Sequence, residues 1–449
     1  MSEPSLSNLA ALAAWPIDAS ADAGQPPRIW PRGLWSQIEA REVCIVVGAS
    51  GSGKSALSRY LAGAFAPAAL RANAGTEMRT LAERLAAFGA GRGIDEAAAR
   101  LRVRERLLLT AIALTGEEPD TPSAARREIR KFLRPDIGLL SGRGSDWIFG
   151  IEVGKFLARI PIELKLAWRP GSRREKPPLE DRVDALERLL GDWRRPSSPD
   201  SALRRPLWCV FDGLGQSSDR AEAATALTAA LDAVHQFYVD FKDRGIAPVV
   251  FVEESEFARL SGTTRQRFQY ATGYLRWTRS ALREALAAAA DARLSAHAID
   301  GLRLGDRRVP VDCIVELGRR RPRDAVHLIK RIAGAMSEPL HEDEATRTRR
   351  VLREHAEFVV HDAEAKWPKT WPPLLDCCAA INPEVAADAA KRDLLSDLYA
   401  TGLVTFVDRD GRDCHVSEYP EACPGHGTRF DLNPVVSIVL GRPTIPMTE

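Results

Sequence analysis

The sequence predicts an α/β fold built on a mainly parallel sheet. Three apolar runs, at residues 43–47, 207–211 and 247–252, have the length and the Val, Ile and Phe content of buried strands. Between them lie segments with apolar residues at three- and four-residue spacing, which predict helices. Strands that alternate with helices favour parallel pairing, with helices on both faces of the sheet.

A glycine-rich loop follows the first predicted strand and precedes a helical pattern. Its residues, Gly-Ala-Ser-Gly-Ser-Gly-Lys-Ser, match the phosphate-binding P-loop pattern G-x-x-x-x-G-K-[ST] in its required setting. Glycines let successive backbone N–H groups point at one anion. Lys54 is expected to reach the β- and γ-phosphates, and the Ser55 hydroxyl to bind Mg²⁺. The expected nucleotide-binding residues are Gly48, Ala49, Ser50, Gly51, Ser52, Gly53, Lys54, Ser55 and Ala56.

Acidic residues follow the second and third strands. Asp212 closes an apolar run, which is the Walker B pattern, and is expected to support the Mg²⁺ ion. Glu253 and Glu254 close the next run, where a carboxylate could orient and deprotonate a water. The candidate catalytic residues are therefore Asp212, Glu253 and Glu254. The two glutamates are equally compatible with surface acids at a strand end.

Composition sets broad limits on the protein. The 449 residues include 63 basic and 61 acidic side chains, so the net charge of +2 does not by itself indicate a nucleic-acid partner. The length predicts two or three domains. Seven cysteines, two of them inside apolar strands, fit reduced thiols. With no signal-peptide pattern and no long apolar run, the expected location is cytoplasmic, without a membrane span.

Segment composition predicts the domain boundaries. A Ser-, Ala- and Pro-rich start is expected to be flexible, and a long segment rich in helical periodicity interrupts the nucleotide-binding core. The predicted organisation is a flexible tail at 1–28, a P-loop core at 29–278 with a helical insertion at about 66–206, a helical lid at 279–343, and a linker helix followed by a winged-helix domain at 344–449.

The C-terminal region has the element order of a winged helix. Residues 391–401 would form the recognition helix, with strands at 403–407 and 428–432 around a wing loop. That helix has few basic residues, which slightly favours a protein contact over DNA. The wing loop also carries Cys414, His415, Cys423 and His426. Zinc binding is the minority interpretation, because an adjacent Cys-His pair is poor ligand geometry.

Four blocks occur in an order that resembles a known family: the P-loop, the Asp-Gly-Leu at 212–214, the Tyr-Leu-Arg-Trp-Thr at 274–278 and the Arg-Pro-Arg-Asp at 321–324. Together they resemble bacterial STAND/AAA+-like P-loop ATPases with a C-terminal winged helix, relatives of archaeal origin-recognition ATPases. The resemblance implies ATP and Mg²⁺ as ligands, with Arg321 or Arg323 sensing the γ-phosphate. It also implies a role in signalling or defence.

Two departures from that family pattern bear on catalysis. Gly215 stands where the family is expected to have Asp, and Glu253-Glu254 stand where it usually has Arg. The sequence therefore predicts an ATP-dependent switch that assembles with itself or with a protein effector. The alternatives are an ATP-regulated DNA-binding protein that uses the winged helix, and a nucleotide-binding scaffold without turnover.

Overall fold

We describe a computed structural model of the protein, for residues 6–15, 31–65, 96–117, 178–193, 207–214, 220–291, 298–304, 307–338, 342–366, 398–399, 401–416, 419, 427 and 429–439. The helices and strands within these ranges are α1 (Leu6–Ala13), α2 (Arg32–Glu39), β1 (Ile45–Gly48), α3 (Lys54–Phe65), α4 (Glu96–Glu117), α5 (Leu179–Trp193), β2 (Leu207–Leu214), α6 (Arg220–Phe241), β3 (Ile246–Glu253), α7 (Glu254–Ala258), α8 (Gly262–Phe268), β4 (Thr272–Tyr274), α9 (Arg279–Asp291), β5 (Arg303–Leu304), β6 (Arg307–Arg308), α10 (Val311–Leu317), α11 (Pro322–Ser337), α12 (Glu344–Lys366), β7 (Val404–Val407), β8 (Asp413–Cys414), β9 (Arg429–Leu432) and α13 (Pro434–Val439).

The chain divides into two compact units. The sheet unit comprises Ser36–Gly48 and Lys54–Tyr274, and the helical unit comprises Met1–Trp35, Ala49–Gly53 and Leu275–Glu449. The tip of the P-loop thus groups with the helical unit. Among the described residues, no helix is both long enough and apolar enough to cross a membrane.

The sheet unit contains the predicted parallel sheet, so the α/β class is confirmed. Its four strands lie in the order β2-β3-β1-β4, and all neighbouring pairs are parallel. The first seven residues of β3 are buried, as expected for a strand covered on both faces. β4 ends at Tyr274, where its pairing with β1 also ends.

Helices α4, α5 and α6 pack together beside this sheet. They contribute an apolar cluster that includes Leu107, Leu190 and Phe237, each with no exposed surface. Arg104 on α4 forms ion pairs with Glu187 on α5 and with Asp240 on α6. One arginine therefore links three helices, and its alkyl stem is covered while its charge is matched. Only α4 and α5 of the predicted 66–206 insertion lie within the described residues.

The helical unit begins with a helix where the sequence predicts a flexible tail. Leu9 and Leu12 of α1 are buried, and α1 packs on α11. Leu9 and Leu12 are three residues apart, which places them along one side of a helix. The prediction of a flexible tail rested on the Ser-, Ala- and Pro-rich composition and did not take this leucine spacing into account.

The C-terminal part of the helical unit contains a small antiparallel sheet with the order β8-β7-β9. Tyr399, Phe406 and Cys414 form a buried cluster beneath it. α13 follows β9 and packs on α12. Most of the predicted recognition helix at 391–401 lies outside the described residues, as do Cys423 and His426.

Two buried histidines join α10, α11 and α12. His355 Nε2 lies 3.1 Å from the Leu317 carbonyl oxygen, so it must carry the hydrogen and donate it. His355 Nδ1 then accepts from His327 Nδ1–H, also at 3.1 Å. The His327 ring stacks on Phe358 with centroids 3.9 Å apart. This arrangement requires both rings to be neutral.

Burial lowers the pKa of both histidines. The pKa of His355 falls to about 4, mainly because the ring is buried, although its bond to the Leu317 carbonyl opposes the fall. The pKa of His327 falls to about 3, through burial first and then through His355 and the Arg331 charge. The unfolded chain would bind protons below about pH 6.5 that the folded chain does not bind. Stability is therefore expected to fall between pH 6.5 and about pH 4 through His355, and on to about pH 3 through His327.

We predict that lowering the pH from 7.5 to 5 reduces the free energy of unfolding, with about 2 kcal/mol of the loss due to His355. In His355→Gln the amide can still donate to Leu317 and accept from His327, but it does not titrate, so its pH dependence should be weaker. His361→Gln, on an exposed position of the same helix, should behave as wild type. Thermal unfolding measured across this pH range tests the prediction, and equal slopes for all three proteins would contradict it.

Candidate functional site

The P-loop has the conformation that its glycines predict. Gly51 and Gly53 have φ angles of 75° and 98°, in the left-handed region that glycine adopts without strain. Lys54 begins α3, and its ammonium group donates a hydrogen bond to the Gly48 carbonyl at 2.7 Å. Ser55 follows as an exposed residue of the same first turn. The loop and helix N-terminus therefore provide backbone N–H groups, a lysine and a hydroxyl in one short segment.

Strand order places the candidate acids along one edge of the sheet. Glu253, the last residue of β3, is in register with Gly48, where β1 ends and the P-loop begins. β2, which carries Asp212, lies on the far side of β3, about 10 Å from β1 at the usual strand spacing. The carboxyl ends of parallel strands are the usual position of ligand sites in such sheets.

The two glutamates differ in their positions. Glu253 has extended backbone and makes no side-chain cap to α7, whereas Glu254 is already the first residue of that helix. Of the two candidates, Glu253 is the one that strand pairing places beside the start of the P-loop, a distinction that the sequence left open.

The backbone of β2 is irregular at the predicted Walker B position. Phe211 pairs with Val250 but Leu214 pairs with Val252, so β2 contains one more residue than β3 across this step. The extra residue falls at Asp212 or Gly213. Bulges of this kind are common beside functional sites.

Within the helical unit, two residues from outside the P-loop hold its tip. The Trp277 indole N–H donates to the Ser52 carbonyl at 2.7 Å, and the Arg323 backbone N–H donates to the Gly51 carbonyl at 3.2 Å. A Cβ on Gly51 would lie 3.0 Å from Arg323 Nε. Ser52 is 2% exposed, and its hydroxyl finds no hydrogen-bond partner among the described residues. A buried polar atom of this kind is suited to a bound polar ligand.

The turn that leads into α11 concentrates charge near this tip. Three arginines, Arg319, Arg321 and Arg323, lie close enough to two carboxylates, Asp324 and Asp362, for their charges to interact. Burial, and next the Arg319 charge, lower the pKa of Arg321 to about 9, although the two carboxylates oppose the fall. For Asp324, burial raises the carboxyl pKa, but the three arginines together bring it below its usual value. A buried group of arginines of this kind is suited to an anion.

Backbone geometry at this turn is unusual. Arg319 and Arg320 have φ angles of 52° and 53°, a left-handed conformation that costs about 1 kcal/mol for each non-glycine residue. Gly318 lies so close to α11 that a Cβ there would sit 2.7 Å from the Ala325 nitrogen. Strain of this kind persists where surrounding contacts enforce it, and it clusters at functional sites.

The sequence predicted some of these residues and missed others. It singled out Arg321 and Arg323, and both lie in the charged cluster that the structure shows. It gave no role to Asp362, which is 38 residues beyond Asp324 on another helix. No local pattern marks Asp362, because its role depends on the packing of α12 on α11.

Nothing in the described region supports a zinc site. Among the described residues, no group of three His, Cys, Asp or Glu side chains could hold a metal ion. The Cys414 thiol lies 3.6 Å from the Arg412 carbonyl oxygen. Burial lowers the pKa of His415 to about 3, with the Arg320 and Arg321 charges adding to the effect. The proposed partners Cys423 and His426 lie outside the described residues.

Comparisons with known proteins give no family assignment: no model of a known protein family, no curated protein and no solved structure matches this chain.

We predict that Gly51→Ala weakens nucleotide binding at least tenfold, because alanine would be strained at this φ and its methyl group would press on Arg323. Gly411→Ala is the matched control, since Gly411 has a similar φ of 77° but no atom within 4 Å of the added Cβ. Titration with a fluorescent ATP analogue measures the effect. Wild-type affinity in Gly51→Ala would show that this loop geometry is dispensable.

Proposed function

We propose that the protein binds ATP at residues 48–56 and uses the bound nucleotide as a switch. The observation that carries the proposal is the P-loop tip, a complete glycine-rich loop that is held by Trp277 and lies against Arg323, beside the buried Arg319 and Arg321. An inert β-to-α turn needs neither the lysine nor these arginines. ATP, rather than another nucleotide, follows from the resemblance to STAND/AAA+-like ATPases.

The roles of the chain's residues follow from their chemistry. Backbone N–H groups of the loop and the Lys54 ammonium group would bind the phosphates, with Arg321 or Arg323 contacting the γ-phosphate. The Ser55 hydroxyl and Asp212 would support Mg²⁺. This ion usually binds through one or two protein oxygens together with phosphates and waters, so a three-carboxylate cluster is not required.

An AAA+-like architecture is part of this proposal. It is supported by the strand order β2-β3-β1-β4, which puts a strand between the P-loop strand and the Asp212 strand, and by the helices α9 to α11 that follow. The sheet β8-β7-β9 supports the winged helix. DNA binding remains a sequence prediction, since most of residues 391–401 lie outside the described residues. Self-association or an effector protein would provide the output of the switch.

We expect Lys54→Ala to reduce ATP affinity at least a hundredfold with little change in melting temperature, because Lys54 is only half-buried and its ammonium bonds its own loop. Lys242→Ala removes the same charge from an exposed position, where the ammonium lies over the Tyr238 ring, and should bind ATP as wild type does. Isothermal titration with Mg²⁺-ATP measures both. Failure of the wild type to bind ATP would refute the proposed function.

Any ATP turnover is expected to depend on Glu253 rather than Glu254, because only Glu253 lies in register with the start of the P-loop. Glu253→Gln should lower phosphate release at least a hundredfold while ATP still binds, and Glu254→Gln, the neighbouring control, should retain most of it. Release of phosphate under saturating ATP gives the comparison. The reverse order of effects would contradict this assignment. Binding without turnover in the wild type would instead favour the scaffold hypothesis, with Gly215 marking a lost catalytic position.

A further inference from the structure

One carboxylate connects the arginine at the P-loop tip to the C-terminal region. Asp362 lies on α12, and its Oδ2 atom is 2.8 Å from Arg323 Nη2 and 3.6 Å from Arg319 Nη2. The Asp362 side chain is 18% exposed and that of Arg319 is fully buried. A single oxygen atom therefore faces two guanidinium groups in a largely water-free environment, where electrostatic interactions are strong.

Arg323 is held by α12 in a second way. Its guanidinium carbon lies 5.8 Å from the centre of the Phe358 ring, one turn before Asp362 on the same helix. Its backbone and side chain meanwhile contact Gly51 at the P-loop tip. Arg323, one of the cationic groups near this tip, is thus already engaged by α12 through charge and through stacking.

Arg319 extends the connection to the small C-terminal sheet. Its Nε and Nη2 atoms pair with Asp324 at 2.8 and 2.6 Å, and its Nη1 donates to the Thr401 carbonyl at 3.2 Å. Thr401 lies three residues before β7, and the adjacent Gly402, with a φ of 72°, packs on the Arg319 side chain. The chain of contacts therefore runs from Gly51 through Arg323, Asp362 and Arg319 to Thr401.

We propose that Asp362 is a latch: it engages Arg323 when no γ-phosphate is bound and releases it when the γ-phosphate takes its place. This inference rests on the proposed function and specifies how the nucleotide state would reach the C-terminal region. A phosphate carries more charge than a carboxylate and can accept bidentate arginine bonds, so it competes effectively for the same guanidinium. Loss of the Arg323 ion pair would remove one contact between α12 and this cluster, while the 3.6 Å approach of Asp362 to Arg319 would remain.

The latch predicts a selective effect of Asp362→Asn on nucleotide affinity. The isosteric amide releases Arg323, so ATP should bind about fivefold more tightly, as expected for the loss of about 1 kcal/mol of competing interaction, while ADP affinity should change little. Glu354→Gln is the matched control. It removes one carboxylate from the same helix, where Glu354 pairs with Arg331 and Arg350 instead, and should leave both affinities unchanged.

The latch is tested by titrating four full-length proteins with ATP and with ADP: wild type, Asp362→Asn, Glu354→Gln and Lys54→Ala. Suppose that wild type binds ATP in a Lys54-dependent way, but that the ratio of ATP to ADP affinity is unchanged in Asp362→Asn. This result would overturn the latch and leave the proposed function intact. Absence of ATP binding in wild type would overturn the latch and the proposed function together. A raised ratio in Asp362→Asn but not in Glu354→Gln would support the latch.

Hydrogen exchange provides a second measurement that does not depend on affinity. In wild type, ATP but not ADP should speed exchange of backbone amides in the last turns of α12 and near Thr401. In Asp362→Asn the same amides should exchange rapidly without nucleotide. Exchange that is the same with ATP and ADP in wild type would contradict the latch. This comparison also detects an Asp362→Asn protein that fails to fold, since all its amides would then lose protection.

Discussion

The buried ion pair between Arg319 and Asp324 is the interaction on which the helical unit depends. Neither side chain has any exposed surface, so both charges have lost their hydration and each needs a close, well-oriented partner. That demand explains the surrounding geometry. Arg319 adopts a left-handed backbone, Gly318 allows the turn to approach α11, and Thr401 provides a carbonyl for the remaining guanidinium donor. Removal of either charge would leave the other buried without its partner.

The same cluster relates structure to the proposed switch. Three arginines and two aspartates lie beside a P-loop tip whose own glycine contacts one of the arginines. A nucleotide phosphate bound at this tip would give the arginines a further anionic partner. In the proposed switch, nucleotide binding would therefore stabilise the helical unit.

The two histidines behind the cluster have a different physical role. His327 and His355 are neutral, buried and hydrogen-bonded in one fixed tautomer, with Leu317 as the final acceptor. They join α10, α11 and α12 without adding charge to a region that already contains five ionisable side chains. Acid pH would protonate these rings, whereas a bound anion would interact with the arginines. The effects of pH and of the proposed ligand on the stability of this unit can therefore be measured separately.

Local sequence was sufficient to predict the parallel sheet and the glycine spacing of the P-loop, since periodicity and glycine spacing are properties of short segments. It could not rank Glu253 over Glu254, because that choice depends on the pairing of β3 with β1 across about 200 residues of chain. It predicted a flexible N-terminal segment, whereas Leu9 and Leu12 of α1 are buried and α1 packs on α11. Asp362 lacked any sequence signal, because its place beside Arg319 and Arg323 arises from the packing of α12 on α11 and from the charges that this packing buries.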